Sequence, residues 1–206
     1  MTYIWVMDVA RPFTAISSGV DVDLLVVMAG STAPRSGRDL ARRAGRSNTA
    51  VQRVLERLVA HGLVHRVEVG RTYLYTLNRD HLLAPVVELM AATRTTLVER
   101  LRSAFYAWEI EPVRAMLFGS AARGDGDENS DIDLFVVRPG GVDVDDHAWR
   151  SQLDLLSESV LAWTGNNASV AEISESDLAS LQSDRSSIAE ELERDAIDLR
   201  DRPRKY

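Results

Sequence analysis

The chain has 206 residues, of which 45% are hydrophobic and 27% charged, and this composition supports buried cores and excludes a disordered chain. The absence of cysteine excludes disulfides, thiolate metal sites and cysteine nucleophiles, and it fits a reducing, cytoplasmic setting. No apolar run has the length of a membrane span, and the first eight residues lack a basic region and a cleavage site. We therefore expect neither a signal peptide nor a membrane partner.

The net charge of −7 hides an asymmetry between the two halves of the chain. Residues 1–85 hold 11 arginines against 7 acidic residues, whereas residues 86–206 hold 13 basic against 24 acidic residues. A basic block beside an acidic block indicates two modules with different partners. Charge alone leaves open a second interpretation, in which the arginines only form a solvated face.

The first module, residues 1–85, is predicted to contain helices followed by a two-stranded hairpin. Helices are expected over residues 22–29, 36–44 and 47–61, and strands over residues 63–69 and 72–77. Ser36 and Ser47 are suitable N-cap residues, because a serine hydroxyl accepts a hydrogen bond from an amide in the first helical turn. Gly70-Arg71 suits a two-residue hairpin turn.

This order of helix, turn, capped helix and hairpin resembles the winged helix-turn-helix family. The resemblance implies that the helix after Ser47 enters the major groove and that the hairpin forms the wing. Amide and guanidinium side chains can pair with base edges, and neighbouring arginines can contact phosphates. The candidate residues for binding nucleic acid, as DNA or tRNA, are Arg46, Ser47, Asn48, Thr49, Gln52, Arg53, Arg57 and Arg71.

Two further points about this module follow from the same resemblance. Winged modules often pair on DNA, so a homodimer is expected. The alternative function of such a fold is dimerisation alone, or contact with a protein or RNA, because a fold does not fix a function.

The second module, residues 86–206, is predicted to alternate helices and strands. Helices are expected over residues 86–108, 143–163, 175–182 and 186–194, and strands over residues 113–118, 131–137 and 168–173. The segment GSAARGDGDENSDID, from Gly119 to Asp133, joins the first two of these strands.

This segment carries the residues suited to phosphate and metal binding. Strand alternation places Asp131 and Asp133 on one face, where two adjacent carboxylates repel unless a cation lies between them. Oxygen-only ligands point to Mg²⁺ or Mn²⁺. Gly119 lets the backbone approach a phosphate, the Ser120 hydroxyl can hold phosphate oxygens, and Arg123 can pair with a triphosphate or brace the loop.

A Gly-Ser turn followed after about ten residues by Asp-x-Asp resembles the polymerase β-type nucleotidyltransferase superfamily in its minimal form. The resemblance covers residues 88–202, more weakly beyond Val137, and implies a mixed sheet flanked by helices. The predicted fold class of the whole chain is therefore α+β. The resemblance also implies an NTP substrate, with ATP as the first choice, and a third carboxylate on a later strand.

Glu172 lies on the strand where the family places that third carboxylate, although family members more often have Asp there. It is the candidate for third metal ligand and general base beside Asp131 and Asp133. If Glu172 instead faces solvent, the domain binds nucleotide without turning it over.

Three functions are consistent with this architecture. The first is an enzyme that transfers a nucleoside monophosphate from an NTP to a hydroxyl of a nucleic acid, a protein or a small molecule. The second is a DNA-binding regulator whose second module senses nucleotide. Combinations of these modules also resemble components of toxin–antitoxin or phage-defence systems, which implies a cognate toxin or antitoxin as partner. The third is an antibiotic-modifying nucleotidyltransferase, for which the first module has no obvious use.

Overall fold

The computed structural model describes residues 19–124, 130–178 and 192–200. The described chain forms two compact units, which meet in the sequence between Thr93 and Arg94 rather than at the predicted junction after residue 85. The helices predicted over residues 175–182 and 186–194 lie largely outside the described residues. No helix in the described ranges is long and apolar enough to cross a membrane.

The first unit has the predicted winged helix-turn-helix arrangement. Its helices are α1 (Val20–Ala29), α2 (Gly37–Arg43), α3 (Asn48–Ala60) and α4 (Ala84–Ala91). Its strands are β1 (Arg35–Ser36), β2 (Val64–Val69) and β3 (Thr72–Leu77). All pairings are antiparallel in the order β1-β3-β2, so the β2–β3 hairpin forms the wing.

Capping and burial explain where the helices of this unit begin and how they pack. The Ser36 hydroxyl accepts a hydrogen bond from the Asp39 amide at 3.2 Å, and the Ser47 hydroxyl accepts one from the Ala50 amide at 3.3 Å. Both predicted N-caps are confirmed. The apolar stripe of α3 packs into the core of the unit, where Val51 and Leu55 are fully buried.

The single long helix predicted over residues 86–108 is wrong, because the chain breaks at Ala92. The helix α4 ends there, and a separate helix, α5 (Thr93–Tyr106), follows. The Thr93 hydroxyl donates a hydrogen bond to the Met90 carbonyl at 2.7 Å, and such a side-chain bond competes with helical pairing. Since α4 packs on α1, it belongs to the first unit.

The second unit is a four-stranded mixed sheet with helices, as predicted. Its remaining elements are β4 (Arg114–Leu117), α6 (Gly119–Arg123), β5 (Ile132–Arg138), α7 (His147–Thr164), β6 (Ala168–Ser174) and β7 (Ile197–Asp198). The strand order is β6-β5-β4-β7; β5 and β6 run parallel, and β4 is antiparallel to both β5 and β7. The short strand β7 was not predicted from the sequence.

The two faces of this sheet have different surroundings. Ile132, Leu134 and Val136 of β5 pack in the larger core with residues of α5 and α7. Phe135 and Val137 pack in a smaller cluster on the other face. Alternation along β5 places Asp133 on the face of Phe135 and Val137, which fixes where its carboxylate points.

Candidate functional site

Gly119 and Asp133 come together where β4 ends. Gly119 has a φ of +67°, in the left-handed region that favours glycine, and a Cβ atom there would lie 2.3 Å from Oδ2 of Asp133. The Phe118 amide donates a hydrogen bond to the Asp133 carbonyl at 3.0 Å. Glycine is therefore required at this position both by the backbone conformation and by the space that the carboxylate occupies.

Asp131, the other predicted aspartate, lies outside the strand. It immediately precedes β5 and is exposed. The residues on either side of it are held by the chain after α7, because Asn166 Nδ2 donates to the Ser130 carbonyl and the Ile132 amide donates to the Asn167 carbonyl, both at 2.9 Å. The predicted pairing of Asp131 with Asp133 on one side of the sheet is compatible with this placement.

The other predicted phosphate-binding residues lie on α6. Ser120 is half-buried in the first turn, and Arg123 is exposed at the last residue. The helix ends at Gly124 with a φ of +77°, and the Gly124 amide donates to the Ser120 carbonyl at 2.8 Å. Arg94 of α5 donates from Nε to the Ala121 carbonyl at 3.0 Å, which ties the short helix to α5.

The structure does not bring Glu172 to this site. In the parallel pairing of β5 with β6, Ser169 lies opposite Asp133, whereas Glu172 lies opposite Val136. Paired residues share a face of the sheet, so Glu172 points into the core beneath α7. The prediction of Glu172 as third metal ligand and general base is therefore wrong. The residue lies on the predicted strand, but its side chain is on the opposite face of the sheet from Asp133.

Glu172 has a structural environment of its own. Its Oε1 accepts hydrogen bonds from Nε1 of Trp149 at 3.0 Å and from Nε of Arg138 at 2.9 Å, and Arg150 lies 3.5 Å from Oε2. The Glu172 side chain is only 14% exposed. It therefore joins the N-terminal part of α7 to β5 and β6. This network was not predicted, because nothing in the sequence gives the register of β6 against β5.

The carboxylates that remain fit one divalent cation. Among residues 19–124, 130–178 and 192–200, no group of three or more His, Asp or Glu side chains is gathered closely enough to hold a metal ion. Asp131 and Asp133 offer oxygen ligands next to the Gly119 turn, and a hard cation such as Mg²⁺ commonly takes one or two carboxylates and completes its shell with phosphate and water oxygens. They do not supply a set of three carboxylates.

In the first unit, the predicted nucleic-acid-binding residues of α3 divide by direction. Thr49 and Arg53 are exposed on the outer side of the helix. Asn48 and Gln52 face the wing and line a groove of about 360 Å³ together with Arg71. Gln52 is half-buried, and its Oε1 lies 3.5 Å from the Tyr75 hydroxyl, so this side chain also supports the packing of the wing.

Two of the predicted arginines are paired with carboxylates of α1. Nε of Arg46 lies 2.6 Å from Asp23, and Arg57 pairs with Asp21. Arg57 lies on α3 and Arg46 in the turn before it, and at both positions phosphate contact would have to compete with an internal ion pair. These pairs were not predicted, because they join residues more than 20 positions apart.

Part of the arginine-rich block is also neutralised on α2. Asp39 accepts hydrogen bonds from Arg43 and Arg35, and Arg42 completes the cluster. The hydrogen bonds from Arg43 and Arg35 hold the pKa of Asp39 below its ordinary value. In the same unit, burial raises the pKa of the Tyr75 hydroxyl. The exposed positive charge is thus smaller than the arginine count suggests.

Two solved structures are similar to the chain at low identity. One is the homodimeric winged helix-turn-helix DNA-binding domain Mb0332 from Mycobacterium bovis, described as a possible ArsR-family transcriptional regulator. It is 24% identical over 47% of this chain and 83% of its own, with a TM-score of 0.32. The other is the transcriptional regulator PA3341, which is 18% identical over 75% of this chain and 88% of its own, with a TM-score of 0.36.

Family models match both halves of the chain. A model described as HVO_A0114 matches residues 18–80, and the model of the nucleotidyltransferase domain matches residues 95–194. No curated protein matches the chain. The match to the nucleotidyltransferase domain contains the Gly119–Ser120 turn, Asp131 and Asp133. Residues 95–194 therefore belong to the nucleotidyltransferase domain family, and they follow a winged helix-turn-helix domain in the same chain.

Proposed function

We propose that the C-terminal domain binds a nucleoside triphosphate, with ATP as the first choice, together with Mg²⁺ or Mn²⁺, and transfers its nucleoside monophosphate to a hydroxyl group. In this reaction a bond forms between the acceptor oxygen and the α-phosphorus, the bond to the β-phosphate oxygen breaks, and pyrophosphate leaves. The observation that carries the proposal is the fit between Gly119 and the Asp133 carboxylate. That fit puts a carboxylate directly beside a turn able to approach phosphate.

Each residue of the site has a role that its chemistry supports. Asp131 and Asp133 hold the cation, which when bound neutralises phosphate charge and lowers the pKa of an attacking hydroxyl. The Gly119 turn brings backbone close to the triphosphate, and the Ser120 hydroxyl and the Arg123 guanidinium hold phosphate oxygens. Since β6 presents Ser169 beside Asp133, the general base does not come from that position.

We propose that the winged domain binds nucleic acid, either to present an acceptor such as a tRNA or to place the enzyme on DNA. The exposed Thr49 and Arg53 and the groove that includes Asn48 and Arg71 support this proposal. Amides and guanidinium groups supply the hydrogen bonds that base edges and phosphates accept. The cytoplasm is the compartment in which such a protein would act.

The experiment that tests transfer uses ATP labelled at the α-phosphate, Mg²⁺ and the full chain with host RNA and protein. We expect label to enter one class of acceptor with the wild type and not with Asp133→Asn. Absence of label from every acceptor, under conditions in which the protein binds ATP, would remove the enzymatic function. A toxin or antitoxin partner would be found among labelled proteins.

A second function is favoured by the position of Glu172. Because its carboxylate is committed to Arg138 and Trp149, the domain can bind nucleotide and signal its presence without transferring it. The protein would then be a DNA-binding regulator. Asp131→Asn with Asp133→Asn, compared with Arg53→Ala with Arg71→Ala, separates the two functions. Loss of the biological effect only in the arginine variant supports the regulator.

We also propose that the winged domain forms a homodimer through α4. Leu82, Leu83, Val86 and Leu89 are all at least half exposed. The neighbouring Glu88 is paired with Arg79, so two copies of the patch are compatible with each other across a two-fold axis. Light scattering should give twice the mass of the chain for the wild type and the mass of one chain for Leu89→Asp. A monomeric wild type at tens of micromolar would contradict the dimer.

A further inference from the structure

The two aspartates of the candidate site are held in different ways. Asp133 lies within β5, where pairing with Ser169 of β6 on one side and the hydrogen bond from the Phe118 amide on the other fix its backbone. Asp131 precedes the strand and is exposed, so strand pairing does not fix it. Its direction depends on whatever holds its two neighbours.

The turn after α7 holds both neighbours of Asp131. Gly165 ends the helix with a φ of +77°, and the chain then turns inward, so that Asn166 is only 2% exposed. Asn166 Nδ2 donates to the Ser130 carbonyl at 2.9 Å. One residue further on, the Asn167 carbonyl accepts from the Ile132 amide at 2.9 Å. The backbone of Asp131 is therefore anchored on both sides by consecutive residues of one turn.

The turn itself is fixed by a buried threonine. The Thr164 hydroxyl donates to the Val160 carbonyl at 2.8 Å and accepts from the Asn166 amide at 3.0 Å. Thr164 is 6% exposed. A polar side chain buried to this degree keeps its hydrogen bonds, because water cannot replace them. Thr164 thus holds the backbone at Asn166, whereas the bond to Ser130 is made by the Asn166 carboxamide itself.

We propose that Asn166 is a positioning residue for Asp131, acting through the Ser130 carbonyl. This inference rests on the proposed function, in which Asp131 and Asp133 bind a divalent cation. Of these two ligands, only Asp133 is held by its strand. The separation between the two carboxylates therefore depends on the hydrogen bond from Asn166 to the Ser130 carbonyl. Removing a residue that orients a metal ligand through hydrogen bonds commonly weakens metal affinity by roughly 10- to 100-fold.

The test measures Mn²⁺ affinity of the full chain by electron paramagnetic resonance, without nucleotide. Asn166→Leu keeps the size of the side chain and removes the donor, and we expect it to weaken Mn²⁺ binding by roughly 10-fold. Thr164→Val is the matched control, because it loosens the same turn but leaves the bond to Ser130. We expect its Mn²⁺ affinity to stay within about twofold of the wild type. Equal losses in both variants, or no loss in Asn166→Leu, would overturn the proposal.

A double variant separates action through Asp131 from a direct effect. In the Asp131→Asn background, Asn166→Leu should weaken Mn²⁺ binding no further, because the ligand that it positions is already removed. Additive losses would mean that Asn166 acts by another route, which contradicts the proposal.

Amide hydrogen exchange distinguishes failure of this inference from failure of the proposed function. We expect the Ile132 amide to exchange at least about tenfold faster in metal-free Asn166→Leu than in the wild type, while Leu134 within β5 changes little. If the wild type binds no Mn²⁺, the proposed function falls, and the exchange rates still decide whether Asn166 anchors the Asp131 segment. Unchanged exchange at Ile132 would overturn the anchor itself.

Discussion

Two carboxylates on neighbouring strands of the C-terminal sheet have opposite surroundings. Asp133 of β5 lies against Gly119 at a turn, next to the exposed Asp131. Glu172 of β6 points to the other face, where it accepts hydrogen bonds from Arg138 and Trp149. The first is the proposed cation ligand, whereas the second holds the sheet to α7. A shift of one residue along a strand separates these roles, since successive side chains alternate between faces.

The same contrast occurs between two arginines of α3. Arg53 is exposed on the outer side of the helix, whereas Arg57 is paired with Asp21 of α1. In both domains, residues with similar chemistry differ in what the fold places around them. Substitutions within each pair therefore compare a residue proposed to contact a ligand with one whose ion pair supports the fold.

The largest effect is expected from Gly119→Ala. A methyl group there meets the Asp133 carboxylate in addition to the strain of a left-handed backbone, which alone costs roughly 1–2 kcal/mol. We expect a loss of about 3 kcal/mol in the free energy of unfolding, measured with urea, as for other overpacked sites. Gly141→Ala is the control, because Gly141 has a φ of +86° with no atom within 4 Å. Equal losses in both variants would argue against the close fit of Asp133.

The next effect concerns the committed carboxylate. Glu172→Gln leaves Arg138 without its counter-charge in a pair whose side chains are 15% and 14% exposed. Breaking such a pair should lower the free energy of unfolding by about 2 kcal/mol, less than for a fully buried pair. Glu175→Gln, at an exposed acid that accepts from the Gly140 amide, should change it by less than about 0.5 kcal/mol. If Glu172→Gln leaves the free energy of unfolding unchanged, the network does not hold α7.

Substitutions of the two α3 arginines, Arg53 and Arg57, should have smaller effects, which appear in the affinity for duplex DNA. Arg53→Ala should weaken binding to duplex DNA by roughly tenfold and, if it contacts phosphate, reduce the slope of log affinity against log salt by about one. Arg57→Ala should have about a twofold effect, because its guanidinium is already paired. Fluorescence anisotropy over a range of salt concentrations measures both. A stronger effect at Arg57 would show that the ion pair with Asp21 opens on DNA.

The smallest effect is the acid dependence of the winged domain. The arginines around Asp39 lower its pKa in the folded state, so the ionised carboxylate contributes stability above the unfolded value of about 3.9. That contribution is lost as the pH falls through the lower, folded value. Thermal melting of the wild type and of Asp39→Asn should therefore differ at neutral pH and converge in strong acid. A difference that persists at the lowest pH would contradict the ion-pair cause.

Much of the fold follows from local sequence signals. Serine caps, apolar stripes and the Gly70 turn act over a few residues, and the helices and hairpin of the winged domain were predicted from them. The break at Ala92 was missed because apolar and helix-forming residues continue on both sides of it. The cause is the hydrogen bond from the Thr93 hydroxyl to a backbone carbonyl, which competes with helical pairing.

The site was predictable where it depends on short spacing. The separation of Gly119 from Asp133 is given by the sequence, and the structure brings these two residues together. Glu172 depends instead on how β6 aligns with β5, and the pairs of Arg46 and Arg57 depend on how α1 crosses α3. These are contacts between distant segments, and no local pattern encodes their register or direction.

The most direct test of the candidate nucleotide site compares its two carboxylates in one assay. Isothermal titration with Mg²⁺ and a non-hydrolysable ATP analogue should show that Asp133→Asn binds the analogue at least roughly tenfold more weakly than the wild type, because a metal ligand is lost. Glu172→Gln should bind within about twofold of the wild type, provided that it is folded at the temperature used. If Asp133→Asn binds as tightly as the wild type while Glu172→Gln does not, the site has been placed on the wrong face of the sheet.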